Sequence, residues 1–294
     1  MIALSDDEVV LPSGLRLALR RAPGTRRPAL LVHDVASNAR VWDGVARRLA
    51  AGGHEVVAVD LRGHGRSDTP PTGYDTATAA ADLAEVITAL GLVGDRAPLV
   101  AGQGWGGDVV LEVAARHGAV AAVALVDGGW LRLGDRFTAP EHCWAALTPH
   151  PVGDVPAVEL EQKVRRDLAG WPSEAVDGAL ASLRLGPDGH YTARLAREHH
   201  RSIEMSRWEG DPRALYPRVG IPALLLAAVP RPGEQAGTGL DAVVPTRVAA
   251  REALAGLGDA QVRWYVGAHH DLHAQLPEAV AADLLALLRR VDPS

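Results

Sequence analysis

The sequence predicts an α/β fold, a mostly parallel sheet covered by helices on both faces, on three observations. Short apolar runs alternate with stretches of helical period along the first 130 residues. Those runs are continuous rather than alternating, as strands buried on both sides are. And 294 residues with 47% hydrophobic and 22% charged side chains suffice for one large core while being too apolar for long disorder.

In chain order, strands are expected at 29–32, 55–59 and 98–101, with helices at 40–51, 76–90 and 108–117 between and after them. This is the alternation of strand and crossover helix that builds a parallel sheet. Further strands are expected at 120–126, 223–228 and 261–266. From 131 to 217 the rhythm breaks: helical stretches at 159–168 and 174–183 appear among prolines and aromatics without a convincing strand. The expected organisation is therefore a core of 1–130 and 218–294 with a helical cap, 131–217, inserted after the sixth strand. The insert far exceeds an ordinary connection, so it is read as a lid over the strand ends.

Composition narrows the function. The net charge is −6 and Lys163 is the only lysine, so there is no basic block to hold phosphates and no nucleic-acid partner is expected. A small-molecule or peptide substrate in a pocket under the cap is expected instead, in a monomer or homodimer. The single Cys143 excludes an intramolecular disulfide or a thiolate metal cage, and is read as inert. His199-His200 lacks a third clustered ligand and is read as solvated cap surface, so no metal is expected. Residues 1–8 carry no basic segment followed by an apolar one, and no run approaches the ~20 residues that span a bilayer. The chain is read as cytoplasmic, with no membrane partner.

The segment from Pro98 to Val110 is a buried strand, a glycine-dense turn and a helix start. Two motifs compete for it. Gly102-x-Gly104-x-x-Gly107 satisfies the dinucleotide fingerprint, with Asp127 twenty residues on. Against this, two strand-and-helix units precede it, and bulky Trp105 sits where backbone must approach a pyrophosphate; no cofactor is expected. The other motif is the nucleophile elbow, Gly-x-Ser-x-Gly, in which Gly102 and Gly106 flank a central position occupied here by Gly104.

Three more segments complete a pattern. His33-Asp34-Val35-Ala36-Ser37-Asn38 follows the third strand, Asp60-Leu61-Arg62-Gly63-His64-Gly65-Arg66-Ser67-Asp68 follows the fourth, and Gly267-Ala268-His269-His270 stands ahead of Pro277 after the last. Together the four resemble the α/β-hydrolase superfamily, in its capped esterase, lactonase and epoxide-hydrolase-like branch, and its atypical nucleophile-less members such as the bottromycin-pathway epimerase. The resemblance implies an α/β-hydrolase fold with about eight strands. It implies His270 as the catalytic histidine and either Asp241 or Asp127 as the acid that orients it, with Asp241 preferred. It implies backbone amides of Val35 and Trp105 as an oxyanion pocket beside His33. His273 is read as having no chemical role of its own.

Two departures from the family pattern set the functional reading. Gly104 carries no side chain, so no acyl- or alkyl-enzyme can form at the elbow. Asp34 replaces the oxyanion-loop glycine, putting a carboxylate where a developing oxyanion would be repelled. Asp34 is read as a second base, its pKa raised if the cap excludes water, or as an anchor for a cation, or as a loop cap. Trp105, Trp130, Trp144 and Trp208 are candidates to wall the pocket. The first expectation is an enzyme of altered chemistry that moves protons without covalent attachment. The alternatives are a serine hydrolase disabled by Ser→Gly at 104 and a non-catalytic binder.

Overall fold

The computed structural model describes residues 2–148, 155–229, 231 and 247–292. The apolar runs become β3 (Arg26–Val32), β4 (His54–Val59), β5 (Leu99–Gln103), β6 (Ala122–Val126) and β9 (Ala223–Val229), and β4, β5, β6 and β9 are buried along their whole length. With β1 (Ser5–Val10), β2 (Arg16–Ala22) and β10 (Ala260–Val266) they lie in one eight-stranded sheet ordered β1-β2-β4-β3-β5-β6-β9-β10, parallel from β4 onward. Parallel strands cannot be joined by tight turns, so each crossover carries a helix that covers a face.

Two members of the sheet differ from expectation. β1 (Ser5–Val10) and β2 (Arg16–Ala22) form an antiparallel hairpin that adds to β4; no apolar run marked their place, although the resemblance, in making 29–32 the third strand, implied two strands before it. The exposed, acidic β1 lacks an apolar run. Arg20 within β2 is buried because Asp6 and Asp43 each hold its guanidinium at 2.6 Å. β10 (Ala260–Val266), expected as a strand buried on both sides, is instead half-exposed in alternation and pairs only with β9 among the described residues.

α1 (Asp43–Ala51) and α8 (Pro277–Val291) cover one face, burying Val45, Leu49, Leu284 and Leu288 against the sheet. α2 (Thr76–Ala89) and α3 (Trp105–Arg116) cover the other with Leu83, Val86, Val109 and Val113. Asp75 caps α2 by accepting the Thr78 amide at 2.8 Å. Truncating any of these fully buried leucines would cost about 2–5 kcal/mol.

Between β6 and β9 the chain forms α4 (Pro140–Leu147), α5 (Ala157–Asp167), α6 (Ser173–Ala181), the two-stranded ribbon β7 (Leu183–Leu185) and β8 (Tyr191–Ala193), and α7 (Arg197–Glu209). The ribbon stands where no strand was expected, since three-residue strands leave no periodicity to read. Two edges tie this region to the sheet layer. On one, Asn38 Nδ2 donates to Gly178 O and Ser182 Oγ, both at 2.8 Å. On the other, Ser206 Oγ accepts the Thr76 amide at 3.2 Å and Arg207 Nε meets Asp108 Oδ2 at 3.3 Å.

His199 and His200 are not solvated cap surface. His200 is buried, 3.6 Å from Glu204, and His199 stacks on Tyr74 with ring centroids 3.8 Å apart. The inner face of α7 can be polar because its charges are paired: both Glu204 oxygens take Arg207 Nη1 at 3.1 Å. No described helix is long and apolar enough to cross a membrane.

Candidate active site

β5 ends at Gln103 and α3 begins at Trp105, so Gly104 alone makes the bend, at φ 55°, ψ −122°. That left-handed conformation favours glycine. At Gly106 the reason is crowding: a Cβ there would come within 2.6 Å of the Val32 and His33 carbonyl oxygens. The glycine density thus comes from close backbone approach rather than from a cradle for phosphate.

Asp34 sits on the loop after β3, and two neutral histidines shape that loop. His33 Nδ1 donates to the Asp34 carbonyl at 2.6 Å while its Nε2 accepts the Leu61 amide at 3.0 Å. His64 Nδ1 donates to the Arg62 carbonyl at 2.8 Å and its Nε2 accepts the Ala36 amide at 3.1 Å, at a residue with φ 56°. Burial pushes both imidazoles down, His33 to about 4 and His64 to about 3, which keeps them uncharged. His33, expected beside the substrate, is fully buried scaffolding.

The Asp34 carboxylate turns toward the elbow. Its Oδ1 accepts the Val35 amide at 2.8 Å and the Trp105 amide at 2.5 Å, and its Oδ2 lies 3.2 Å from Nε2 of His270. On the far side of the ring, Nδ1 of His270 bonds Asp127 Oδ2 at 2.7 Å. Asp127 ends β6 in a left-handed conformation (φ 47°), which aspartate tolerates, and its Oδ1 accepts the Ala228 amide at 3.0 Å. The oxyanion pocket expected to be open is therefore filled, by the side chain of Asp34.

The three groups set each other's charge. Burial opposes charge on His270, but hydrogen bonds and attraction from Asp127 and Asp34 prevail and hold it protonated well above the ordinary imidazole range. Burial likewise opposes charge on Asp34, but the His270 imidazolium, Arg207 and the Trp105 amide pull its pKa below the usual carboxylate range. The sequence expectation was the reverse; it counted desolvation and missed the partners. For Asp127, burial dominates and pushes the carboxyl upward against the pull of His270.

Asp34 and His270 line a cavity of about 470 Å³, with Val35, Val41, Trp171 and Ala179 among its walls and Asp271 and His269 beside His270. Trp171 was not singled out from sequence; the break Gly170-Trp171-Pro172 between two helices was its only signal. The tryptophans that were singled out do not line this cavity. Trp105 is buried with its indole N–H on Thr76 Oγ1 at 3.1 Å, Trp130 is buried, and Trp144 packs edge-on against His200. Trp208 donates to the Phe137 carbonyl at 2.8 Å and packs against the cluster of Leu133, Cys143 and Leu147. Trp105 and Trp130 are part of the main core, and Trp208 packs against the small separate cluster. The Cys143 thiol is buried and pushed up to about 12, as an inert cysteine should be. His273 is buried against Trp42 at 4.3 Å and pushed down to about 4, hence neutral. Asp241 and most of the long loop after β9 lie outside the described residues.

An eight-stranded sheet with a bend of this geometry after the fifth strand, and a histidine bonded to a carboxylate at the end of the sixth, defines a hydrolase-type α/β scaffold. The chain belongs to the alpha/beta hydrolase family, whose model matches residues 29–283. It is 30% identical to a non-heme chloroperoxidase of Streptomyces lividans over 89% of this chain and 91% of that protein. It is 27% identical to a non-heme haloperoxidase of Rhodococcus erythropolis over 90% and 93%. A further match, 31% identical to a putative non-heme haloperoxidase of Mycobacterium phage D29, spans 42% of this chain and under half, 44%, of that protein. Among solved structures the fold is similar to E-2-(acetamidomethylene)succinate hydrolase, at TM-score 0.77 and 19% identity over 98% of this chain and all of the other. It is also similar to a bromoperoxidase from Bacillus anthracis, at TM-score 0.73 and 18% identity over 97% and 100%.

Proposed function

We propose that this chain is an enzyme that moves protons on a small-molecule or peptide substrate, a natural-product intermediate, without covalent attachment at the elbow: an isomerisation, epimerisation, cyclisation or substrate-assisted hydrolysis. One observation carries the reading. A carboxylate and an imidazolium, Asp34 and His270, lie 3.2 Å apart on the wall of one cavity, in opposite protonation states.

Oδ1 of Asp34 is anchored by two amides, leaving Oδ2 to take a proton from a carbon acid while Nε2–H of His270 gives one to the substrate. The two transfers assist each other. As His270 releases its proton, Asp34 loses the counter-charge that lowers its pKa and becomes a stronger base. Asp127 keeps the ring oriented throughout. A positioned acid or base contributes typically ~10²–10⁴-fold each. The test is deuterium uptake at the α-carbons of N-acyl dipeptides in deuterated water, followed by NMR. Uptake that disappears in His270→Gln supports the reading; no uptake with the parent protein overturns it.

A second reading is favoured by the two-amide anchor, which proton transfer alone does not require. Oδ2 of Asp34 would attack an electrophilic carbon as His270 protonates the departing oxygen; water deprotonated by the now neutral His270 would then add at Cγ. Collapse would break the Cγ–Oδ2 bond, that oxygen leaving with the product as it takes the proton back from His270 while the water oxygen replaces it in the carboxylate. The charge that water addition places on Oδ1 would already face the Val35 and Trp105 amides. A single turnover of the parent protein in ¹⁸O-labelled water, with ¹⁸O appearing in the carboxyl group of the peptide carrying Asp34, distinguishes this from the first. Full ligand affinity with no chemistry in the parent or in His270→Gln would instead favour a non-catalytic binder.

A further inference from the structure

We propose that residues 34 and 104 exclude one another from a single site, and that Asp34 is thereby the residue that fixes the class of reaction, shutting out ester, thioester and amide hydrolysis through an acyl-enzyme. The proposal deepens the proton-transfer reading by naming substrates that the site rejects.

The three nearest atoms to an ideal Cβ built on Gly104 are all from the Asp34 carboxyl group, Cγ and both oxygens, each far inside van der Waals contact. A side chain at 104 and the present Asp34 rotamer cannot coexist. Acyl transfer needs three things at this bend: a nucleophile above it, free amides for the oxyanion, and a base within reach. One side chain takes all three places. The Asp34 carboxyl fills the space above Gly104, its Oδ1 holds the Val35 and Trp105 amides, and its Oδ2 faces His270 Nε2. Nothing else is dismantled. The bend keeps φ 55°, ψ −122°, both amides still converge, and Asp127 still orients His270 at 2.7 Å. The site thus differs from an acyl-transfer site by a reciprocal exchange of side chains between two positions rather than by decay.

The consequence is specific to the pair. Gly104→Ser alone sets a hydroxyl against a carboxylate, and Asp34→Gly alone leaves an empty site. Together they free the amides, place a hydroxyl under His270, and remove one of the two carboxylates that keep its ring protonated, so that Nε2 can act as a base. The introduced oxygen would then bond to the carbonyl carbon of p-nitrophenyl butyrate, its proton passing to Nε2 and from there to solvent as p-nitrophenolate leaves. Water would add to the acyl carbon, give its proton to Nε2, and release butyrate as the serine oxygen recovers that proton.

The experiment compares the parent, Gly104→Ser, Asp34→Gly and the double variant by fluorophosphonate labelling read as intact mass, p-nitrophenyl butyrate hydrolysis, and thermal melting. The double variant alone is expected to label stoichiometrically and to hydrolyse the ester about 100-fold faster than the parent, within the range an added nucleophile and base supply. Gly104→Ser is expected to melt below the parent, and adding Asp34→Gly to recover part of that loss, the strain of a side chain at φ 55° remaining. Labelling of the parent or of Gly104→Ser alone overturns the proposal, as does a folded double variant that neither labels nor hydrolyses. Failure of both the double and Asp34→Ala with Gly104→Ser to fold also overturns it, because the exchange is argued to fill one volume. A labelled double variant beside a parent that takes up no deuterium would retire the proton-transfer reading and leave the exclusion standing.

Discussion

Oδ2 of Asp34 faces Nε2 of His270 at 3.2 Å, while the same ring's Nδ1 is held by Asp127 at 2.7 Å, so one imidazole is shared between two buried carboxylates. An arrangement of two negative groups around one ring holds the proton on that ring. The sign of each shift then sets how the site answers to pH. His270 is raised, so its contribution to stability is complete below its unfolded value of about 6.5 and is lost only as pH climbs through the raised folded value. Asp34 is lowered, so its contribution is complete above about 3.9 and is lost as pH falls through the depressed value.

Asp34→Asn removes one of the two carboxylates. The His270 pKa should fall toward the ordinary imidazole value, read by NMR of the ring nitrogens across pH 5–10. Under the proton-transfer reading, the alkaline limb of activity should move down with it, and the rate at neutral pH should drop by about 10²–10⁴-fold. An unchanged ring pKa would mean that the two side chains do not pair in solution.

Asp127→Asn should weaken activity by a similar factor, because an amide in that place no longer fixes which ring nitrogen carries the proton. Asp241→Asn should leave the rate near that of the parent, since Nδ1 of His270 is already bonded to Asp127. Equal losses from the two variants in deuterium-uptake assays would reassign the orienting role.

The positions of the buried strands and the elbow were legible in the sequence because each leaves a local signal. Ala29-Leu30-Leu31-Val32 is an apolar run that only a buried strand explains, and Gly102-Gln103-Gly104-Trp105-Gly106 marks a crowded bend. The hairpin of β1 and β2 was not legible, since Arg20 is buried through partners at positions 6 and 43 that no short window contains. Asp34 could be singled out, and so could the bare backbone at Gly104. That the first fills the space left by the second is a contact between positions 70 residues apart, which spacing along the chain does not reveal. The direction of the Asp34 shift was misjudged for the same reason: its imidazolium partner is at position 270. Trp171 was missed because its place on the cavity wall depends on how the segment between β6 and β9 sits.

Asn38 ties the loop that carries Asp34 to the end of α6 in the segment between β6 and β9. Its Oδ1 accepts the Arg40 amide at 2.9 Å, and its Nδ2 reaches Gly178 O and Ser182 Oγ. Asn38→Ala should lower stability by about 1–3 kcal/mol, the range for stranding buried polar groups. Asn38→Asp keeps the first bond but sets a carboxylate oxygen against the Gly178 carbonyl. Limited proteolysis should then cut that segment faster than in the parent, and KM should rise more than kcat falls. Unchanged proteolysis in both variants would show that the link does not hold the segment.

Arg207 is the cation on which the inner face of α7 depends. Its side chain is 8% exposed and that of Glu204 is 1% exposed, with Asp108 on α3 as the second partner. Removing one member of a buried ion pair strands the other, so Arg207→Met should cost about 3–5 kcal/mol in denaturant unfolding, and Glu204→Gln in that background should recover part of it. The loss should depend on pH. Burial pushes the Asp108 carboxyl up to about 6, above its unfolded value, so its contribution favours the fold below about 4 and is lost as pH rises through 6. At pH 8 the stranded Asp108 must ionise or bind a proton at a cost, whereas at pH 5 it is already largely neutral. Unfolding measured at the two values should therefore show the greater loss at pH 8. Equal losses would mean that Asp108 is solvated and that Arg207 serves Glu204 alone.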